Sequence, residues 1–370
     1  MTAGAPEISF AIHPSAQVAS AARRAELLAD PGFGRVFSDH MVTIAWTEQL
    51  GWHDAQLGPY GPLSIDPACQ VLHYGQEIFE GLKAYRSAGG PIVTFRPHAN
   101  GARLNASARR MAMPELPEDT FTHALELLVS QDRDWVPTAK GHSLYLRPFM
   151  IATHVGLGVS HPSSSFLFAV IASPAGSYFR GGVSPVSVWV AEDYIRAARG
   201  GTGAAKTGGN YASGFAGQMQ ALEHGCDQVV WLDAAERQWI EELGGMNLFF
   251  VYGSGSDARI VTPPLTGTLL AGVTRDSLLT LAPELGIGAA EHPVSVSQWR
   301  EGCQSGEITE VFACGTAAVI TPVGQVKSAA GDWAIGGGQE GPVTRRLREQ
   351  LLGIQFGQLP DPHGWVHKIC

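Results

Sequence analysis

At 370 residues the chain is too long for one ordinary core and suits two domains of about 150 to 200 residues each. It is 45% hydrophobic and 16% charged, enough to bury a large core, and its formal net charge of -9 excludes the basic face that a nucleic-acid partner requires. Residues 1–20 lack a positive region leading into a long apolar run, so no signal peptide is expected.

In chain order, residues 1–40 form a mixed arm with a helical patch at 21–28 and a turn at Asp30-Pro31-Gly32. From 41 to 95, short β-rich runs alternate with Gly/Pro turns. A helix is expected over 97–111, where Leu104, Ala108 and Met111 recur at helical spacing, and a second over 118–131. Strands at 143–151 and 165–173 close this half. The apolar run 166–172 is far too short to cross a bilayer and fits a buried strand, so no membrane partner is expected.

Turn formers from Gly176 to Ser187 mark a linker, giving an N-terminal domain over 1–178, a connection at 179–188 and a C-terminal domain over 189–370. Beyond it the reading is a strand at 186–191, a glycine-rich segment at 200–209, and a helix over 210–224 that stops at Gly225. Strands alternating with helices in both halves indicate an α/β or α+β protein. The five cysteines are odd in number and never form C-x-x-C, and the thirteen histidines form no H-E-x-x-H. Neither a disulfide framework nor a metal site is expected, and a reducing cytoplasm is the default location.

Only five lysines occur, and Lys206 lies where five of the ten residues from 200 to 209 are glycine. A lone lysine on a loop is ordinarily a solvated one. A phosphate-cradling P-loop is a second reading, with Val229-Val-Trp-Leu-Asp233 as the magnesium-holding strand. Against it, Ala205 replaces the required glycine, and the polar residues 193–199 do not form the buried strand that precedes such a loop. A third reading is a Schiff-base lysine, whose amine becomes nucleophilic when desolvation or a nearby cation lowers its pKa. Its partner groups must decide.

Six strings, in order along residues 33–364, resemble the branched-chain aminotransferases, fold-type IV enzymes that depend on pyridoxal 5'-phosphate. They are His73-Tyr-Gly-Gln-Glu-Ile-Phe-Glu-Gly-Leu-Lys-Ala-Tyr85, Ser143-Leu-Tyr-Leu-Arg-Pro148, Ala204-Ala-Lys-Thr-Gly-Gly-Asn-Tyr211, Glu242-Leu-Gly-Gly-Met-Asn247, Ala271-Gly-Val-Thr-Arg275 and Gly315-Thr-Ala-Ala318. The resemblance implies a smaller N-terminal α/β sandwich domain on the substrate side. A larger C-terminal pseudo-barrel α/β domain would hold the cofactor. It implies ping-pong transamination of L-leucine, L-isoleucine and L-valine with 2-oxoglutarate, through a Schiff base at Lys206.

By the same resemblance Lys206 is catalytic and Glu242 partners the pyridine nitrogen, while the adjacent Glu241 is read as solvated at a strand end. Tyr211 serves the phenolic oxygen. Gly272, Val273 and Thr274 at a helix start over 275–282 serve the phosphate, with Thr316 after a strand at 310–314, and Arg103. The substrate wall comprises Phe33, Tyr74, Phe79 and Tyr178, with Tyr145 and Arg147 toward one end and the backbone of Ala317 and Ala318 for the α-carboxylate. Lys83 also follows the family pattern. Val159, in Gly156-Leu-Gly-Val159, resembles a loop that enters the partner subunit's site, which implies a homodimer.

Two departures stand out: Gly245 replaces a hydroxyl residue found in some relatives, and the 315–321 stretch lacks their C-x-x-C pair. D-amino-acid aminotransferases and aminodeoxychorismate lyases share the lysine, the acid and the phosphate clamp. The E-G-L-K-A-Y and L-Y-L-R-P strings, in the substrate half, favour the branched-chain group.

Overall fold

The structure, a computed structural model, describes residues 8–176 and 184–370. Two compact units are present: Met1–Tyr178 with Ile354–Cys370, and Phe179–Gly353. The mixed α/β class expected from the sequence is the class observed.

The first unit is built on a sheet of β1 (Ala11–Ile12), β2 (His40–Thr47), β3 (Gly51–Pro59), β4 (Glu77–Phe79), β5 (Leu82–Arg86), β6 (Ile92–Phe95), β7 (Ser143–Ala152) and β8 (Ser165–Ala175). Its order is β1-β3-β2-β8-β7-β5-β6, antiparallel throughout except for the short β1–β3 pair. β4 and β5 lie in tandem along the same edge of β7: Phe79 pairs with Phe149, and Leu82 with Leu146. Glu80 and Gly81 form the joint between them, and the Glu80 N–H donates to the Pro148 carbonyl at 2.7 Å.

Helices α1 (Ala21–Ala29) and α2 (Gln70–Tyr74) are followed by α3 (Pro97–Arg110) and α4 (Glu118–Gln131). Pro97 opens α3, where its fixed φ is already helical, and Arg109 and Arg110 sit at the negative end of the dipole. Leu104, Ala108, Phe121, Leu125 and Leu128 from α3 and α4 share one core with Ile44, Ile78, Leu146 and Phe168. Each such large side chain contributes about 1.5–3 kcal/mol on burial.

The second unit holds β9 (Val186–Val190), β10 (Gln228–Leu232), β11 (Ile240–Leu243), β12 (Met246–Tyr252), β13 (Arg259–Thr262), β14 (Gly288–Glu291), β15 (Ile308–Gly315), β16 (Val319–Lys327) and β17 (Trp333–Ala334). The order β11-β10-β9-β16-β15-β12 closes on itself because β11 also pairs with β12, so six strands form a ring. This is the barrel-like sheet that the resemblance implied. Around it run α5 (Gly208–Ala212), α6 (Phe215–Glu223), α7 (Val273–Glu284) and α8 (Val296–Ser305). The chain then follows α9 (Pro342–Gln355) to β18 (Val366–Lys368), which pairs with β6.

Two expectations need correction. The helix read over 210–224 is two helices. Backbone angles stay right-handed through Ser213 and Gly214, but the Gly214 N–H bonds to the Tyr211 carbonyl three residues back, tightening the chain and interrupting the α ladder. The C-terminal domain does not run to 370, because β18 adds residues from 354 onward to the first sheet. That return makes the N-terminal unit, expected to be the smaller, the longer of the two. Of the connection expected at 179–188, residues 179–183 lie outside the described residues, and residues 186–188 belong to β9 and not to a linker.

Candidate active site

In the second unit the glycine-rich loop carries Lys206 into α5. The Asn210 side chain holds this loop closed: its amide donates to the carbonyls of Thr202 and Ala205, both at 2.8 Å, and its oxygen accepts from the Thr202 hydroxyl at 2.7 Å. One residue on, Tyr211 meets the Lys206 amine at 2.8 Å from its hydroxyl. The K-x-G-G-N-Y string is thus a loop staple and a lysine partner side by side.

Glu242 sits on β11, every residue of which is buried. Its carboxylate accepts the Leu270 N–H at 2.8 Å and lies 3.1 Å from the Arg196 Nε. Burial raises its pKa, opposed first by Arg196, then by the Leu270 hydrogen bond and by Lys206. Arg196 also donates to the carbonyls of Gly203 and Thr268, at 3.0 and 2.6 Å, so one guanidinium joins the lysine loop, the segment before α7 and the acid.

α7 starts at Gly272 with no side-chain cap, so its first N–H groups and positive dipole end are presented together, with Val273 and Thr274 in the first turn. A β-carbon on Gly272 would lie 2.0 Å from the Asn247 side-chain oxygen, which explains the glycine. Asn247 in turn donates to the Leu270 carbonyl at 3.0 Å. Thr316, Ala317 and Ala318 form the turn between β15 and β16. Val319 follows it at φ +60, a conformation a β-branched residue holds only when its surroundings impose it.

Glu241 contradicts its reading as a solvated residue. It is 5% exposed and accepts from the Thr268 hydroxyl. All four residues of β11 are buried, and the Glu241 carboxylate sits against the Thr268 side chain and not in open solvent.

In the first unit, four of the expected substrate residues come together. Arg147 donates to the Tyr145 hydroxyl at 3.1 Å and lies 4.7 Å from the centre of the Phe79 ring, while Phe33 meets Tyr145 edge-on at 5.0 Å. Tyr74 is not in this cluster's contacts. It is exposed and donates to the Leu157 carbonyl at 2.5 Å, in the loop of Val159, which is itself 76% exposed. Tyr178 lies outside the described residues. Arg103 is forked on the buried Glu80 through Nε and Nη2, both at 2.8 Å. Lys83 is buried, and loss of hydration lowers its pKa to about 8.

Sequence reasoning passed over Arg196, Asn210 as a staple, and Glu80. Asn210 and Glu80 stood inside quoted strings, whereas Arg196 stood in a polar run that carries no local sign of burial. Among the described residues no group of histidine, cysteine or acidic side chains could hold a metal ion, and no helix is long and apolar enough to cross a membrane.

A closed barrel-like sheet bearing a tyrosine-partnered lysine, a buried acid and a bare helix start defines the class, and the amino-transferase class IV family model matches residues 77–326. The probable branched-chain-amino-acid aminotransferase of Streptomyces coelicolor is 63% identical over 97% of this chain and 98% of its own length. The branched-chain-amino-acid aminotransferase of Mycobacterium tuberculosis is 54% identical over the full length of both. Among solved structures, the branched-chain enzyme of Escherichia coli matches with a TM-score of 0.73 at 30% identity, over 88% of this chain and 99% of that one. A second branched-chain aminotransferase, solved with pyridoxamine 5'-phosphate, matches at 0.72 and 27%, over 88% and 98%. The chain belongs to the branched-chain-amino-acid aminotransferases of class IV.

Enzymes of this class use pyridoxal 5'-phosphate, and the donor set here fits it. A buried carboxylate with lone pairs to spare suits a protonated ring nitrogen, an uncapped helix start suits a phosphate, and a lysine suits an aldehyde.

Proposed function

We propose that this enzyme exchanges the amino group of L-leucine, L-isoleucine and L-valine with 2-oxoglutarate, with Lys206 as the residue that binds the cofactor covalently and moves the proton. The observation that supports this is the Lys206–Tyr211 contact at 2.8 Å beside a buried Glu242. When bound, pyridoxal 5'-phosphate supplies the carbonyl that takes up the amino group and a ring that accepts the electron pair left at Cα. Lys206, freed by the incoming amine, would use Nζ to carry the proton between Cα and the cofactor's C4'. Tyr211 orients Nζ and donates to the cofactor's phenolic oxygen. Glu242 holds a proton on the ring nitrogen, and the low-polarity surroundings that raise its own pKa strengthen that bond.

The phosphate is assigned to the N–H groups of Gly272, Val273 and Thr274, with Thr316 and Arg103. Phe33 and Phe79 take the aliphatic side chain. Tyr145 and Arg147 take the second carboxylate of glutamate, as their hydrogen-bonded pairing supports. The N–H groups of Ala317 and Ala318 hold the α-carboxylate. The exposed loop around Val159 supports a homodimer in which it enters the partner's site, and a cytoplasmic location accords with five unpaired cysteines.

Absorbance spectroscopy tests the reading. The holoenzyme is expected to show a visible band that shifts with L-leucine and not with D-alanine, and Lys206→Ala to lack it. A protein that stays colourless when supplied with the cofactor would overturn the assignment.

A further inference from the structure

Glu80 is the most deeply buried carboxylate of the first unit, at 0% exposure, and no step of the proposed reaction uses it. A charge in that position must be compensated. Its two oxygens receive the Nε and Nη2 of Arg103, both at 2.8 Å, in a two-pronged pairing that fixes the plane of the guanidinium as well as its position. The same carboxylate accepts the Gly81 N–H at 3.1 Å, and the Asn100 amide stands 3.5 Å from it. Asn100 and Arg103 are one helical turn apart on α3, so the carboxylate grips that face of the helix from the β4–β5 joint.

The consequence reaches two places. Arg103 has five N–H donors, and the fork commits Nε and one side of Nη2, setting the direction in which Nη1 and the second Nη2 proton point. Gly81 lies under the Tyr145 hydroxyl, so the N–H bond at the joint also fixes the floor on which that tyrosine rests. An arginine without such a fork samples many rotamers, and ordering it on binding would cost affinity.

We infer that Glu80 is a positioning residue for the cofactor's phosphate, holding Arg103 in the orientation that receives it. This rests on the assignment of Arg103 to the phosphate.

The test is the dissociation constant of pyridoxal 5'-phosphate from the holoenzyme, set beside that of pyridoxal, which lacks the phosphate. Glu80→Gln keeps the shape of the side chain and removes its charge. It is expected to weaken pyridoxal 5'-phosphate by about tenfold or more, the scale of losing an orienting partner, and to leave pyridoxal unchanged. In an Arg103→Met background the same replacement is expected to add nothing, since the two act as one unit. Equal weakening of both ligands, no weakening of either, or additive losses in the double variant would each overturn the inference. Arg103→Met that leaves pyridoxal 5'-phosphate affinity intact would instead remove the phosphate assignment itself. Should Glu80→Gln fail to fold, Asn100→Ala, which disturbs the same grip from the helix side, is expected to give a smaller loss with the same selectivity. A loss for pyridoxal as well would overturn the inference.

Discussion

The Tyr145 hydroxyl occupies the space that a side chain on Gly81 would need: a β-carbon there would stand 2.0 Å from that oxygen. Glycine at this position is therefore fixed by the tyrosine above it, and the tyrosine is in turn held by Arg147 and Phe33.

Gly81→Ala is expected to push the Tyr145 ring off this seat. The cost in stability is that of overpacking, about 1–3 kcal/mol. The kinetic cost falls on the dicarboxylate: KM for 2-oxoglutarate should rise about tenfold or more while KM for L-leucine changes less, since Arg147 loses its aligned partner. Equal changes in the two constants would separate Tyr145 from carboxylate recognition.

Asn210→Ala removes all three bonds that close the lysine loop. Two carbonyls lose their donor, at a cost of about 2 kcal/mol or more. The expected kinetic signature is a fall in kcat with amino-acid KM nearly unchanged, because the staple positions Lys206 and touches no substrate. Chemical denaturation and steady-state kinetics read the two effects separately, and an unaltered kcat would sink the role.

Much of this was legible in the sequence because local pattern and final environment agree. Residues 118–131 follow a helical period, carry acids at the start, and form α4 over that span. Lys206, Tyr211 and Glu242 stand in strings that carry the family resemblance, and the Lys206–Tyr211 contact itself appears only in the structure. What stayed hidden depends on closure over long distances. Glu241 reads as solvated beside Glu242, and its burial on β11 against Thr268, 27 residues further on, has no local sign in the sequence. Arg196 sits in a polar run, and nothing local sends its guanidinium to an acid on β11. The tail strand β18 is three residues long, too short for any period to show, so its place beside β6 could not be foreseen.

Lys83 gives the first unit a signature in alkaline solution. Burial lowers its pKa to about 8 from an ordinary 10.5, so the unfolded chain binds its proton more tightly than the folded one. Stability should then rise with pH between those values, by up to about 1.4 kcal/mol per pH unit from this group, and the gain is absent below pH 8. Lys83→Met removes the titration. Urea unfolding at about pH 8 and about pH 10 is expected to show a rise in the wild type that is flattened in the variant. Parallel slopes would place the lysine in a wetter setting than its 9% exposure describes.

Arg196→Met should expose the opposite sign. Burial holds the Glu242 pKa above 4.5, and Arg196 is the strongest influence opposing that rise, so its loss lifts the pKa further. Near pH 8 the variant must keep a buried carboxylate without its cation, a penalty of about 3–5 kcal/mol. The folded state now binds the Glu242 proton more tightly than the unfolded chain does, so acidification stabilises it as pH falls from the folded value toward 4.5. The penalty measured by denaturation should therefore shrink as the pH is lowered from about 8 toward 4.5. Activity should not recover with it. Protonation on Glu242 itself removes the charge that would hold a proton on the ring nitrogen, so kcat is expected to stay low across the range. A penalty independent of pH would mean that Arg196 acts through its bonds to Gly203 and Thr268 and not through Glu242.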